Sequence, residues 1–476
     1  MRKSGRISKR MMAVIMTAFV AAASLMGCQS NIVDNYLEDL GMIDPDNKAD
    51  QTLTGENDNV SNENEQESAQ ASATAVTVNP DGDKDSFPSL GDNESAADEQ
   101  FSSTYTETSG AETDKDIQKA REEAGLTEDG IEALKKQQEG LYAYERLTDA
   151  GKTLYVEMLA VLQNLASDVT VSTTSDEAIE LVYDYVMADH PEIFYVDGYQ
   201  YTNYSVGDTI TRVSFTGNYL YGEDEVARRK TQINEAVNKC LAGAPSTDDD
   251  YLTIKYVYEY LIDHTDYDME VEDNQNICSV FIDGRSVCNG YAKAAQYLLG
   301  KLGVPCTLVV GTVDTKNSTG VRHAWNLVLC NNAYYYLDVT WGDASYQTVS
   351  GETADAAKLP DVNYDYLNVT TEEISKNHEI FDTIAMPLCS SMSDNYYVRE
   401  NEYFTNSELS LIGDLFDRRY KDGSENVTIK CASDDVYDEL FEALITNRKV
   451  FDYLQGDTSQ VSYTTFQDTR TIIFWI

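Results

Sequence analysis

"RHAWNLVLCNNAYYYLDVTWGD", residues 322–343, sets two apolar, alternating runs on either side of a pair of asparagines. Asparagine tolerates the left-handed backbone that a two-residue hairpin turn requires, so the stretch reads as an antiparallel hairpin turning at Asn331 and Asn332. That register places Trp325 opposite Asp338 and His323 opposite Thr340, which makes His323 and Asp338 diagonal neighbours on one face. An aspartate embedded between Leu337 and Val339 needs a polar partner. An imidazole beside it forms a base together with the group that orients it.

Such a pair serves a nucleophile, and "SVCNGYAKAAQYLLGKLGVP", residues 286–305, offers one. Tyr291, Ala295, Leu298, Leu299 and Leu302 keep helical spacing, and Cys288 stands at the mouth of that helix. Unpaired backbone N–H groups there favour a thiolate. Taken alone, the cysteine reads first as a small buried hydrophobe; a base with its orienter elsewhere in the chain is what distinguishes a nucleophile from packing. The other three histidines read as structural or solvated: His190 precedes Pro191 at a helix end, His264 lies on a helix face, and His378 follows an acidic helix start. Trp325 and Trp341 read as packing beneath the cleft.

"SVCNGYAKA", "RHAWNLV" and "YYYLDVTWGD", in this order and spacing, resemble the bacterial transglutaminase-like superfamily, whose core shares the papain-like architecture of cysteine catalysis. The resemblance covers about residues 250–385, running into "YDYLNVTTEEISKNHEI", and "DHPEIFYVDGYQY" upstream is similar to the N-terminal region that accompanies such exported proteins. It implies an α+β fold with Cys288 as nucleophile, His323 as general base and then acid, and Asp338 as orienter. Asp343, beyond Trp341, is a weaker alternative carboxylate. Gln275, in "NQNICSVFIDGRSVC", stands where related sequences carry an oxyanion donor, although "ICSVF" is bulkier than is usual there. The implied activity is cysteine-dependent acyl transfer on peptide or protein amides, cell-wall peptide included, through a thioester. Water as acceptor gives a protease or amidase; an amine gives a transglutaminase. No cofactor and no metal is implied. The competing reading is a non-catalytic surface module that binds peptide or glycan; a glycosidase would need a paired set of carboxylates that the sequence does not locate.

Outside this region the chain reads as an exported protein. Residues 1–27 join a basic start to an apolar run, the pattern of a signal peptide, and "LMGC" resembles a lipobox, which implies lipidation at Cys28 and anchorage at the outer face of a bacterial membrane. The net charge is −47, and removal of residues 1–27, with five basic residues and no acidic ones, would take it to −52. Such acidity excludes nucleic acid as a partner. Residues 28–116, exemplified by "TGENDNVSNENEQESAQASATA", are too poor in bulky apolar residues to fold alone and read as a disordered acidic tether. Residues 117–245 read as an N-terminal α+β domain, 246–388 as the transglutaminase-like catalytic domain, and 389–476 as a small C-terminal α+β domain. Seven cysteines follow Cys28, an odd number that leaves at least one thiol free. No specific disulfide is expected, and no spacing suggests zinc.

Overall fold

The computed structural model describes residues 71–78, 106–108, 114–314, 318–343, 360–456, 460–467 and 469–476, the first two segments as backbone only. Residues 1–27 and Cys28, with the signal and lipidation readings, lie outside the described residues.

The N-terminal part runs β1 (Ala71–Val78), β2 (Thr106–Thr108), α1 (Asp114–Glu123), α2 (Glu128–Gln138), α3 (Asp149–Gln163), β3 (Val169–Val171), α4 (Asp176–Asp189), β4 (Val196–Val206), β5 (Thr209–Tyr219) and α5 (Glu223–Gly243). Side-chain caps start its helices: Thr148 accepts the Gly151 N–H and Ser175 that of Ala178. Its five strands lie in the order β2-β1-β4-β5-β3. Two of them correct the expectation for residues 28–116. Residues 71–78 and 106–108, read from composition as part of a disordered tether, form strands, with β1 pairing antiparallel along β4 from Ala71↔Val206 to Val78↔Tyr199. The open edge of β4 supplies the backbone partners that the segment's own composition does not announce.

The central part continues with α6 (Asp250–His264), β6 (Asp266–Tyr267), β7 (Arg285–Ser286), α7 (Cys288–Lys301), β8 (Cys306–Val313), β9 (Val321–Cys330), β10 (Ala333–Leu337), α8 (Val339–Gly342), β11 (Leu367–Val369), α9 (Thr371–Ile374) and β12 (His378–Ile380). Its sheet has the order β11-β10-β9-β8-β12. Asn331 and Asn332 have φ of 46° and 71°, and β9 meets β10 from Cys330↔Ala333 to Asn326↔Leu337. Both turn residues are left-handed, as a twist-matched two-residue hairpin requires. The second strand is shorter than its sequence suggests. "YYYLDVTW" reads as strand throughout, yet pairing stops at Leu337 and Asp338 caps the single turn α8, accepting the Trp341 N–H at 3.0 Å. An aspartate competes for backbone donors in this way whenever three residues follow that can turn.

The final part comprises α10 (Tyr396–Arg399), β13 (Tyr403–Phe404), α11 (Leu409–Asp422), β14 (Asn426–Cys431), α12 (Asp434–Phe441), β15 (Ser462–Phe466) and β16 (Thr471–Trp475), with sheet order β13-β14-β16-β15. "NYYVRENEYF", which alternates like a strand, is strand only at Tyr403–Phe404 and opens with α10, because Asn395 caps that turn and Tyr396 and Tyr397 turn into the central core. The C-terminal part has its own core, in which Phe404, Phe416, Ile429, Leu440 and Phe474 are buried. A buried ion pair, Lys430 Nζ to Asp365 Oδ1 at 2.7 Å, ties it to the central part.

One hydrophobic core runs from Ala124 to Tyr397 across the expected boundary at 245, bringing Leu154, Tyr155 and Val182 together with Tyr291, Ala295 and Leu298 of α7. Gln296 on α7 donates to the Ala188 carbonyl of α4 at 2.6 Å. The helix that carries Cys288 is thus seated by the N-terminal part as well as by its own sheet.

Candidate active site

Cys288 is the first residue of α7, follows the extended Val287, and is 3% exposed. It stands among the backbone N–H groups that the first turn leaves unpaired. Gly290 allows the preceding loop to close over that turn: a Cβ there would lie 1.9 Å from Ser286 Oγ and about 3 Å from the Asn274 and Asn276 carbonyls.

His323 comes from β9, where it pairs with Gly311 of β8. Directly paired residues share a face, so His323, Trp325, Gly311 and Val313 all point the same way. Asp338, just past β10, follows Leu337, the last residue paired with β9, so the same register carries it to the face of Trp325, and its backbone N–H bonds to Tyr366 O at 3.0 Å. The result is a contact of 2.7 Å between His323 Nε2 and Asp338 Oδ2, with both side chains buried. Nε2 being taken, Nδ1 is the ring nitrogen left for Cys288, whose sulfur acts on the charge of the imidazole.

The charges follow from these neighbours. Burial pushes the His323 imidazole down, but the Asp338 carboxylate and the Cys288 sulfur together outweigh it and raise it to about 10. Burial would raise the Asp338 carboxyl; His323 and His378 reverse this and hold it well below the usual carboxylate range. The group is therefore an acceptor-only carboxylate with an imidazolium beside it. Burial pushes six other thiols up: Cys240 to about 11, Cys278, Cys389 and Cys431 to about 12, and Cys306 and Cys330 further still.

The remaining candidates fall in other places. Asp343 is buried with a carboxylate oxygen 2.7 Å from the Tyr291 hydroxyl, so it is Asp338 that sits on the His323 ring. Gln275 lies close to the start of α7: its Oε1 accepts from Asn289 at 3.3 Å, while its Nε2 donates to Asn274 at 3.1 Å. Trp325 and Trp341 are core residues, with ring centroids 5.8 and 6.2 Å from that of His323. His190 is buried against Glu192, and His264 is exposed and stacked on Tyr260.

His378 is the residue that sequence reasoning missed. It is 4% exposed, and its Nε2 lies 3.0 Å from the same Asp338 Oδ2 that meets His323. The signal for it was its position within the segment "YDYLNVTTEEISKNHEI", into which the family resemblance extends. The ligand atoms of His323, Asp338 and His378 all lie within 4.8 Å of one another, and these residue types bind zinc. Their contacts of 2.7 and 3.0 Å are N–H···O hydrogen bonds, shorter than the ~3.3 Å that separates two ligands each ~2.0 Å from a tetrahedral zinc. The three groups satisfy one another without an ion.

A thiol at a helix start, an imidazole within its reach and a buried carboxylate behind the ring are the parts of a cysteine-dependent enzyme. Residues 241–339 match the family model described as the transglutaminase-like superfamily, and the chain carries a domain of that superfamily. No curated protein matches the chain. Similar solved structures include one titled as a TGase (15% identity over 30% of this chain and 44% of that one, TM-score 0.22). A candidate cysteine protease from Cytophaga hutchinsonii is 12% identical over 29% of this chain and 56% of its own, with a TM-score of 0.21. The periplasmic domain of TgpA from Pseudomonas aeruginosa is 11% identical over 32% of this chain and 75% of its own, also at a TM-score of 0.21. The chain spans less than two thirds of the first two of these structures. Among the described residues no helix is long and apolar enough to cross a membrane.

Proposed function

We propose that the protein is a surface-anchored acyl-transfer enzyme that uses Cys288 to cleave peptide or protein amides through a thioester. The observation that carries this reading is the buried His323–Asp338 contact with Cys288 within reach of the same ring. The Cys288 thiolate attacks the amide carbonyl carbon, and the carbonyl electron pair moves onto oxygen. The backbone N–H of Cys288, unpaired at the helix start, and the Gln275 side chain are the donors to that oxyanion. As the C–N bond breaks, imidazolium His323 gives its proton to the leaving amine, and a thioester to Cys288 remains. Water, deprotonated by the now neutral His323, then releases a carboxylic acid; a second amine in its place gives a new amide. Asp338 stays ionised throughout and holds the ring. Lipid at Cys28 would present this site to substrates outside the cell, peptide of the cell wall among them.

Brief iodoacetamide treatment at pH 7 followed by intact-mass analysis tests the chemistry. Six thiols are raised by burial, so the expected result is one fast adduct at Cys288 that is lost in His323→Ala. An adduct rate that ignores His323 would transfer the chain to the class of surface binding modules. Anchorage is read separately: Cys28→Ala should free the chain from the membrane fraction or leave it unprocessed, and unchanged retention with normal cleavage would refute it.

A further inference from the structure

The sequence brings a second imidazole to Asp338 by an indirect route. β12 is three residues long and lies on the far side of β8 from β9, so His378 must reach across β8 to meet a carboxylate at the end of β10. It pairs with Val313 and so shares the face of His323 and Trp325. Gly311 lies between them on β8. A Cβ there would come within 1.9 Å of the Glu379 carbonyl and 2.7 Å of the Trp325 ring, so the absence of a side chain at this position lets β12 approach. The His378 ring is then fixed on every side. Trp325 and Trp341 pack against it at 4.9 and 5.0 Å, and the Asn377 side-chain amide oxygen lies 2.6 Å from its Nδ1. That amide in turn lies 2.8 Å from the Tyr366 hydroxyl.

Asp338 is ionised and can only accept, so the His378 Nε2 that faces it at 3.0 Å carries a hydrogen. Two imidazoles therefore donate to one oxygen. We propose that His378 is a positioning residue: its Nε2–H fixes the Asp338 carboxylate on His323 and takes up part of its charge, so that His323 releases its proton to the leaving amine. The proposal rests on the acyl-transfer reading above. A carboxylate with a single buried imidazolium partner would hold that proton most tightly and make His323 a poor acid. A second donor on the same oxygen weakens the grip without adding a second positive charge. Burial lowers the His378 imidazole, against the pull of Asp338, and the His323 charge lowers it further; a neutral ring with its hydrogen on Nε2 takes the Asn377 amide turned so that its N–H faces Nδ1 and its oxygen the Tyr366 hydroxyl. The titratable groups that face it are Asp338 and His323, with Tyr366 behind Asn377.

The test is the rate of Cys288 alkylation by iodoacetamide from pH 4 to 11 in the wild type, His378→Phe and His378→Gln, each checked for a cooperative thermal transition. The wild type should show two inflections, the upper one marking loss of the His323 proton. His378→Phe keeps the ring volume but removes the donor, and the upper inflection should rise by about one pH unit, the size expected of a hydrogen bond to a charged group. His378→Gln, whose amide N–H can reach the same oxygen, should bring it back towards the wild-type value. An upper inflection that does not move in His378→Phe, or that moves as far in His378→Gln, would overturn the proposal while leaving the acyl-transfer reading intact. A wild type with a single free-thiol titration would overturn both. Should the Phe variant fail to fold, histidine-selective ¹⁵N spectra of the wild type decide between pH 6 and 8: a protonated His378 Nε2 supports the proposal and an unprotonated one refutes it.

Discussion

Asp338→Asn removes one charge from the middle of the site and leaves its shape. The carboxylate accepts three N–H groups: His323 and His378 on Oδ2 at 2.7 and 3.0 Å, and the Trp341 backbone on Oδ1 at 3.0 Å. An amide has one accepting oxygen, so in either orientation a donor faces a donor in a buried site. The larger loss is electrostatic. His323 stands at about 10 instead of its ordinary 6.5, and at ~1.4 kcal/mol per pH unit this corresponds to ~4 kcal/mol of stability at pH 7, with Asp338 the foremost of the groups that raise it. A raised imidazole contributes in full below pH 6.5 and loses its contribution as pH climbs through about 10. The depressed Asp338 carboxyl works the other way, stabilising above the ordinary carboxylate range and failing only in strong acid. The stability gap between wild type and variant should therefore be widest below pH 6.5 and narrow steadily towards pH 10. Urea unfolding followed by tryptophan fluorescence reads it directly, since two of the three tryptophans, Trp325 and Trp341, pack on these imidazoles. Cys288 should remain alkylatable while turnover falls ~10²-fold or more, because the ring has lost its orienter. A gap as wide at pH 10 as at pH 6 would refute the ion pair.

Gly311→Ala places a methyl against the Glu379 carbonyl and Trp325, and should cost ~2–3 kcal/mol in urea unfolding and shift the His378 ¹⁵N signals as β12 is displaced. At the hairpin, Asn332→Gly should be nearly neutral and Asn332→Ala should cost ~1–2 kcal/mol, because only the backbone at φ 71° is at stake; Asn331→Gly should still lose stability, since its side chain also bonds to Asp249 and Asp394. Lys430→Ala leaves the Asp365 carboxylate buried without its counter-charge, with hydroxyl donors such as Thr471 in its place, and should cost ~3–5 kcal/mol, while Lys430→Met with Asp365→Leu recovers most of it, both read by chemical denaturation.

What the sequence made legible was whatever a short window can encode. The hairpin register followed from strict alternation around two asparagines, and β8 and α5 have the limits their apolar and charged runs suggest. Other features depend on distant partners. β1 is a strand because β4 has an edge to share, which no composition reports. His378 sits on a strand too short to show a period, and its meaning lies in a carboxylate forty residues away. The core that joins residues 124–301 comes from helix-on-helix packing that periodicity allows but does not assign to a partner.

That shared core has a practical edge. The family match begins at residue 241, but the helix bearing Cys288 shares one core with α3 and α4 and holds the Ala188 carbonyl through Gln296. Two further bonds cross the same divide, from the Tyr142 hydroxyl and the Arg146 Nε to the Ala385 carbonyl. A fragment trimmed to the recognisable motif would expose the back of its own nucleophile helix to water. Transplanting this reactive centre into another scaffold would therefore mean carrying nearly 120 residues of upstream chain, from about Ala124, as ballast without which the cysteine has no fixed address.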